Sequence, residues 1–216
     1  MRDPVVARRL LVDQLRDAGV RDPRVLGALE RVPRHLFVPA ADRPRAYEDC
    51  ALPLAEGATI SQPRVVAWML AALDVLPGER ALDVGSGSGY TSALLAELGA
   101  EVDGIERLPG LVATARATLR ELAHARVRIH LGDGHRGLPT RAPFDAVLVS
   151  AACDEVPPAL LAQLAPGGRL VAPVGAAELQ RIELWQRPGE APPERLQRGE
   201  AVRFVPLLRE RRSTPS

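Results

Sequence analysis

The chain has 216 residues, 46% of them apolar, and a formal net charge of +1. That length suits one α/β domain with some decoration, and the apolar fraction is enough for a core. A small, well-mixed charge with no basic stripe or interleaved aromatics argues against nucleic acid or a membrane surface as partner.

All 28 basic residues besides histidine are Arg, and the chain has neither Lys nor Asn. A GC-rich genome is the simplest reading, with adaptation to heat the alternative. Cys50 and Cys153 lie far apart, form no Cys-x-x-Cys pair, and point to no zinc site or other metal. The amphipathic start "MRDPVVARRLLVDQL" lacks the continuous apolar core of a signal peptide, and no apolar run approaches a membrane span. The expectation is a soluble cytoplasmic protein with reduced thiols, acting as a monomer.

In chain order, the apolar spacing predicts helices over 5–18 and 23–31. Prolines 33, 39 and 44 then punctuate a loop-rich stretch to about residue 60. So long an irregular segment is uncommon unless it has a function. An amphipathic helix is predicted over 64–75, with Val66, Met69, Leu70 and Leu73 on one face. From residue 80 onward strands and helices alternate: strand 80–85, helix 90–99, strand 101–106, a helix from near Pro109, strand 127–133 and strand 144–151. A helix over "PPALLAQLAPGG" and the strand "RLVAPVG" follow. "LQRIELWQR" and "AVRFVPLL" read as two late strands, with "RPGEAPPERLQRG" as the loop between them. Alternation of this kind implies a Rossmann-like, doubly wound, mostly parallel sheet behind an N-terminal helical and loop wrap.

Three candidate ligand positions fall at strand ends. "ALDVGSGSGY" closes a strand and opens a helix; Gly85, Gly87 and Gly89 allow a tight turn and close approach of a ligand. The spacing is Gly-x-Gly-x-Gly, not that of dinucleotide binders, and Asp83 precedes it. Glu106 ends the second strand, where a carboxylate can grip ribose hydroxyls. Asp133, in "GDG", follows the third strand and can meet an adenine amine. On the bland readings Asp83 orders the loop, Glu106 is an exposed charge and Asp133 makes a turn. With no Lys or Arg directly after the glycines, the ligand reads as a nucleoside without a pyrophosphate, a description S-adenosylmethionine fits.

Together these residues resemble a known family. "RVPRHLFVP", "YEDCALPL", "GATISQP", "ALDVGSGSGY", "GIER", "GDG", "PFDAV", "LAPGGRLVAPVG" and "FVPL" occur in the order seen in protein-L-isoaspartate O-methyltransferases and span residues 24 to about 207. The glycine loop alone would say only methyltransferase; "ISQP" and "FVPL" are far more specific. The resemblance implies methyl transfer from S-adenosyl-L-methionine to the free carboxylate of isoaspartyl residues in damaged proteins and peptides. The ester then collapses to a succinimide, which begins repair. It also implies a sheet whose late strands depart from the usual methyltransferase order.

By this resemblance Ser61 takes the active-site serine position. The cofactor would be held by Ile60, Ser61, Gln62, Asp83, Gly85, Ser86, Gly87, Ser88, Tyr90, Glu106, Arg107, Gly132, Asp133 and Gly134. Thr59, Ser61, Val205, Pro206 and Leu207 would face the substrate. The expected organisation is a single methyltransferase domain: N-terminal helices and active-site loop over 1–60, cofactor-binding core over 61–176, strands and tail over 177–216. Cys50 falls at a variable place in its motif, Ala58 replaces a Gln common in bacterial relatives, and the tail "LRERRSTPS" matches nothing diagnostic.

The chemistry accounts for a site segment without acid or base. A carboxylate with an ordinary pKa of about 4 is already a nucleophile at neutral pH. Displacement on a sulfonium needs alignment and exclusion of water rather than a strong base. Hydroxyls at Thr59 and Ser61 can orient that carboxylate without competing charge. Ser61 is not read as a covalent nucleophile, because histidines 35, 124, 130 and 135 form no evident constellation with Ser or Asp. "TISQP" is also a sound helix start, with a capping side chain and Pro63 in the first turn, and the two roles are compatible. Three rivals remain: a related carboxylate methyltransferase acting on a peptide natural product, a non-catalytic nucleotide- or partner-binding domain, and an NAD oxidoreductase, against which the glycine spacing speaks.

Overall fold

The computed structural model describes residues 3–176 and 178–208. Ala177 and most of the tail motif, residues 209–216, lie outside the described residues.

Local chemistry sets the first two helices. Asp3 caps α1 (Pro4–Asp17) by accepting the Val5 amide at 2.8 Å, and Asp22 caps α2 (Pro23–Arg31) through the Arg24 amide at 2.8 Å. Each begins with proline, whose missing N–H costs nothing there. Their apolar stripes, including Leu11, Leu15, Val25 and Leu29, are buried in the main core.

Residues 32–58 form the predicted irregular stretch, broken by short 3₁₀ turns. It ends in a small antiparallel hairpin, β1 (Leu52–Pro53) on β2 (Thr59–Ile60), with Leu52 opposite Ile60. Helix α3 (Pro63–Leu73) follows and stops two residues earlier than periodicity suggests, because Asp74 turns left-handed with φ 47°.

The remainder builds one seven-stranded sheet. Its parallel part comprises β3 (Arg80–Val84), β4 (Glu101–Glu106), β5 (Val127–Leu131), β6 (Phe144–Val149) and β7 (Leu164–Val174). Helices α4 (Tyr90–Glu97) and α5 (Pro109–Glu121) connect the first three strands. The short helix α6 (Pro158–Leu161) precedes β7, while β8 (Gln180–Gln186) and β9 (Glu194–Val202) extend the sheet antiparallel. The order is β5-β4-β3-β6-β7-β8-β9, with its switch point between β3 and β6, so the last three strands follow one another in chain order. No helix among the described residues is long and apolar enough to cross a membrane.

Three expectations are corrected here. The predicted helix over "PPALLAQLAPGG" is only the four residues of α6; "LAPGG" opens β7 instead. Gly167 is left-handed at φ 81°, and the ladder to β6 shifts register between Phe144 and Ala146. At Gly168 a Cβ would sit 2.9 Å from the Phe144 carbonyl, so this pair of glycines makes a bulged strand rather than a helix stop.

The late loop is also shorter than its composition suggests. "ERLQRG" lies within β9, leaving 187–193 as the turn. Its charges sit on an edge strand: Arg195 Nη1 reaches Glu183 Oε1 at 2.9 Å. "FVPL" therefore lies past the end of β9 and not within a ladder strand. It crosses instead to the carboxyl end of the parallel sheet, where Pro206 bridges Ala152.

Candidate active site

The glycine turn is built from the end of β3. The amides of Gly85 and Ser86 both donate to the Ile105 carbonyl, at 2.9 and 3.1 Å, which ties the turn to β4. Gly85, Gly87 and Gly89 all have positive φ, between 53° and 84°, a conformation that costs glycine nothing.

Glu106 closes the turn from β4. Its Oε2 accepts the Gly87 amide at 3.1 Å, while its Oε1 accepts the amides of Arg107 and Leu108 at 2.7 and 3.0 Å. Beneath the turn Asp83 is fully buried. Ser92 Oγ donates to its Oδ2 at 2.6 Å and Ser150 Oγ to its Oδ1 at 3.0 Å. Burial raises its pKa to about 6, only partly offset by those two hydroxyls, and the charge of Glu106 pushes the same way.

The opposite wall is the "FVPL" segment. Ala152 N–H donates to the Val205 carbonyl at 2.8 Å, and Leu207 N–H donates to the Ala152 carbonyl at 2.6 Å. Gly134 permits this approach: a Cβ there would stand 2.9 Å from both Leu207 Cδ1 and Val84 Cγ1.

A cleft opens between these walls and the β1–β2 hairpin, at the carboxyl end of the parallel strands where ligands of such sheets bind. Of the residues expected from sequence, Thr59, Gly85, Gly87, Glu106, Arg107, Gly134, Val205, Pro206 and Leu207 line it. Ser61 and Gln62 line an adjoining hollow, and Thr59 lines both spaces. Ile60 is buried in the hairpin, while Asp83, Ser86 and Ser88 are buried among the residues that shape the turn. Tyr90 is buried as well, with the Arg34 guanidinium 5.1 Å from its ring centroid and Phe37 edge-on at 5.4 Å. Gly132 and Asp133 lie beside the cleft without lining it, and Asp133 Oδ1 accepts the His135 amide at 2.9 Å.

Sequence reasoning did not single out several lining residues: Glu56, Gly57, Ile105, Leu108, Ser150, Ala151 and Leu208. Ser150 could have been found, because it follows the central strand β6 beside the switch point. Glu56 gave no signal beyond its place in the loop.

Two histidines do meet aspartates, which the sequence did not reveal. His130 Nε2 lies 2.8 Å from Asp103 Oδ1, and His135 Nδ1 lies 3.4 Å from Asp133 Oδ1. Neither lines the cleft, and no hydrogen bond joins either to a serine among the described residues.

The donor set suits a nucleoside carrying a sulfonium. Close backbone approach is available at Gly85 and Gly87, and the Glu106 carboxylate faces the cleft. The sheet order, the glycine turn and that carboxylate at the end of the neighbouring strand β4 are those of an S-adenosylmethionine-dependent methyltransferase.

Comparison with known proteins narrows the class. Residues 7–212 match the model of the protein-L-isoaspartate(D-aspartate) O-methyltransferase family, and the chain belongs to it. A Roseiflexus castenholzii protein-L-isoaspartate O-methyltransferase is 49% identical over 201 residues, 93% of this chain and 91% of that one. One solved protein-L-isoaspartate O-methyltransferase superposes with a TM-score of 0.81 at 27% identity, over 92% of this chain and 65% of the longer one. A Plasmodium falciparum structure described as a protein of this kind in complex with S-adenosyl-L-homocysteine gives a TM-score of 0.81 at 25% identity, over 94% of this chain and 99% of that one.

Proposed function

We infer that this chain methylates isoaspartyl residues: it transfers the methyl group of S-adenosylmethionine to their free carboxylate and so begins the repair of damaged proteins through a succinimide. Family membership supports the reaction, and the chemistry of the cleft supports the donor. When bound, the cofactor supplies an electrophilic methyl carbon on a sulfonium.

The chain's own part is binding and alignment. Glu106 would hold the ribose hydroxyls, the glycine turn would pack against the nucleoside, and Asp133 with Gly134 would meet the adenine. Asp83 would hold the shape of the turn from below through Ser92 and Ser150. Ile60, Ser61 and Gln62 would border the methyl donor, while Ser86, Ser88, Tyr90, Arg107 and Gly132 complete its surroundings. The main chain of Val205, Pro206 and Leu207 would run along the substrate.

One observation carries the assignment of the reacting edge: Thr59 lines both the cleft and the hollow that contains Ser61. No hydrogen bond within the described residues engages the hydroxyl of Thr59 or of Ser61. Both are therefore open to an incoming carboxylate. That carboxylate is already ionised at neutral pH, so the hydroxyls orient it and no residue needs to remove a proton.

The net charge of +1 and the mixed surface favour proteins and peptides as partners over nucleic acid or membranes. Cys50 and Cys153 are both free thiols, which agrees with a cytoplasmic location. We read the chain as one methyltransferase domain acting as a monomer.

Tritiated methyl transfer from S-adenosylmethionine to a synthetic isoaspartyl peptide, with its aspartyl twin as control, tests the reading. Label in the isoaspartyl peptide alone is expected. Equal labelling of the pair, or none, would refute it.

A further inference from the structure

Beyond Ser61 and Gln62, the hollow beside the cleft carries charged and aromatic side chains that the transfer itself does not use. Its lining includes Ser61, Gln62, Arg64, Trp68, Arg203 and Phe204. The Arg64 backbone and the chain next to Arg203 are each held by a hydrogen bond. Asp49 reaches forward from the irregular segment: its Oδ1 accepts the Arg64 amide at 2.9 Å and its Oδ2 accepts Gln62 Nε2 at 3.1 Å. Phe204 N–H donates to Gln180 Oε1 at 2.9 Å, which anchors the chain beside Arg203.

The Arg64 guanidinium stacks 5.3 Å from the centroid of Trp68, and its Nε lies 3.4 Å from Asp49 Oδ2. Arg203 is exposed and makes no ion pair among the described residues. No carboxylate lines the hollow among those residues. The result is an aromatic floor, Trp68 and Phe204, beside one free and one half-neutralised cation.

We propose that this hollow is a specificity subsite for the polypeptide flanking the isoaspartyl residue, and that it favours acidic side chains on one side of that residue. The inference rests on the reading that the isoaspartyl carboxylate enters at Thr59. From that point the substrate's main chain must continue, and an extended chain advances about 3.3 Å per residue. Neighbours one to three residues away therefore fall within the hollow that Thr59 shares with the cleft. There an acidic side chain meets Arg203 and Arg64 over an apolar surface, whereas a basic one meets like charge. The hollow lies on one side of the cleft, so the preference is directional.

The test is a panel of isoaspartyl peptides carrying Glu, Ala or Arg one to three residues before or after the isoaspartyl position, each paired with its aspartyl twin and compared by kcat/KM. On one side Glu is expected to exceed Ala by about threefold, and Arg to fall below Ala by a similar factor, the size of a partly exposed charge pair. The order should flatten at about 1 M salt, where the screening length is about 3 Å. It should reverse in Arg203→Glu. Equal kcat/KM across the panel on both sides, or an unchanged order in Arg203→Glu, would overturn the subsite while leaving the isoaspartyl reading in place. Failure of every isoaspartyl peptide to exceed its aspartyl twin would overturn the reading beneath it, and the subsite with it.

Discussion

Glu106 is bonded to the turn it faces: its Oε2 accepts the Gly87 amide at 3.1 Å, so one carboxylate both fixes the glycine loop and looks into the cleft. On the proposed binding mode a change at Glu106 would act on the cofactor twice, through lost ribose contacts and through a looser loop. Glu106→Ala is expected to weaken S-adenosylhomocysteine by about 2 kcal/mol, roughly thirtyfold in Kd, the usual worth of hydrogen bonds to a charged group. Calorimetric titration measures this directly, and an unchanged Kd would remove Glu106 from the cofactor site.

Ser61→Ala should separate binding from transfer. Ser61 lines the adjoining hollow rather than the cleft, so cofactor affinity should stay within about twofold while kcat falls roughly tenfold through lost alignment. Steady-state methylation of an isoaspartyl peptide, paired with cofactor titration, reads both quantities. Wild-type kcat would sink the role of Ser61.

Gly134→Ala should act on the opposite wall. The new Cβ would stand 2.9 Å from Leu207 Cδ1, and overpacking of this kind costs about 1–3 kcal/mol. Displacing the "FVPL" segment is expected to raise KM for the peptide well beyond what the drop in Tm alone would produce. A peptide KM equal to wild type would show that this wall does not touch substrate.

Asp83 predicts two pH effects of opposite sign. Its pKa is raised from 3.8 to about 6, so the folded protein keeps a proton that the unfolded chain has already released. Between about pH 4 and pH 6 this group's contribution to stability therefore declines as pH rises, and above 6 it is constant. Over the same interval the ionised form that accepts from Ser92 and Ser150 is lost as pH falls, so cofactor affinity should drop below about pH 6. Asp83→Asn should flatten both dependences. Denaturation and cofactor titration on the two proteins from pH 4 to pH 8 provide the comparison, and parallel curves for the variant and wild type would refute the assignment.

Much of this was legible in the sequence because it is local. The glycine turn, the strand end at Glu106, the turn at Asp133 two residues past its strand, and the helices that open on proline are each set by a few neighbouring residues. What escaped depends on contacts made far along the chain. "ERLQRG" reads as loop by composition, yet it is strand because β8 offers a partner edge and Glu183 a partner charge. "LAPGG" reads as a helix stop, yet it opens β7 because it pairs with β6. The position of Ser61 relative to the cleft is likewise set by Asp49, twelve residues upstream and invisible as a motif, which holds the first turn of α3 through Gln62 and Arg64.

The central claim is that neutral hydroxyls steer an already ionised carboxylate and that no side chain removes a proton. The most direct measurement is the single-turnover rate of methyl transfer to an isoaspartyl peptide from about pH 6.5 to about pH 9. A level profile is predicted across that range. A rate that climbs with one ionisation inside it would reveal a general base and contradict the account.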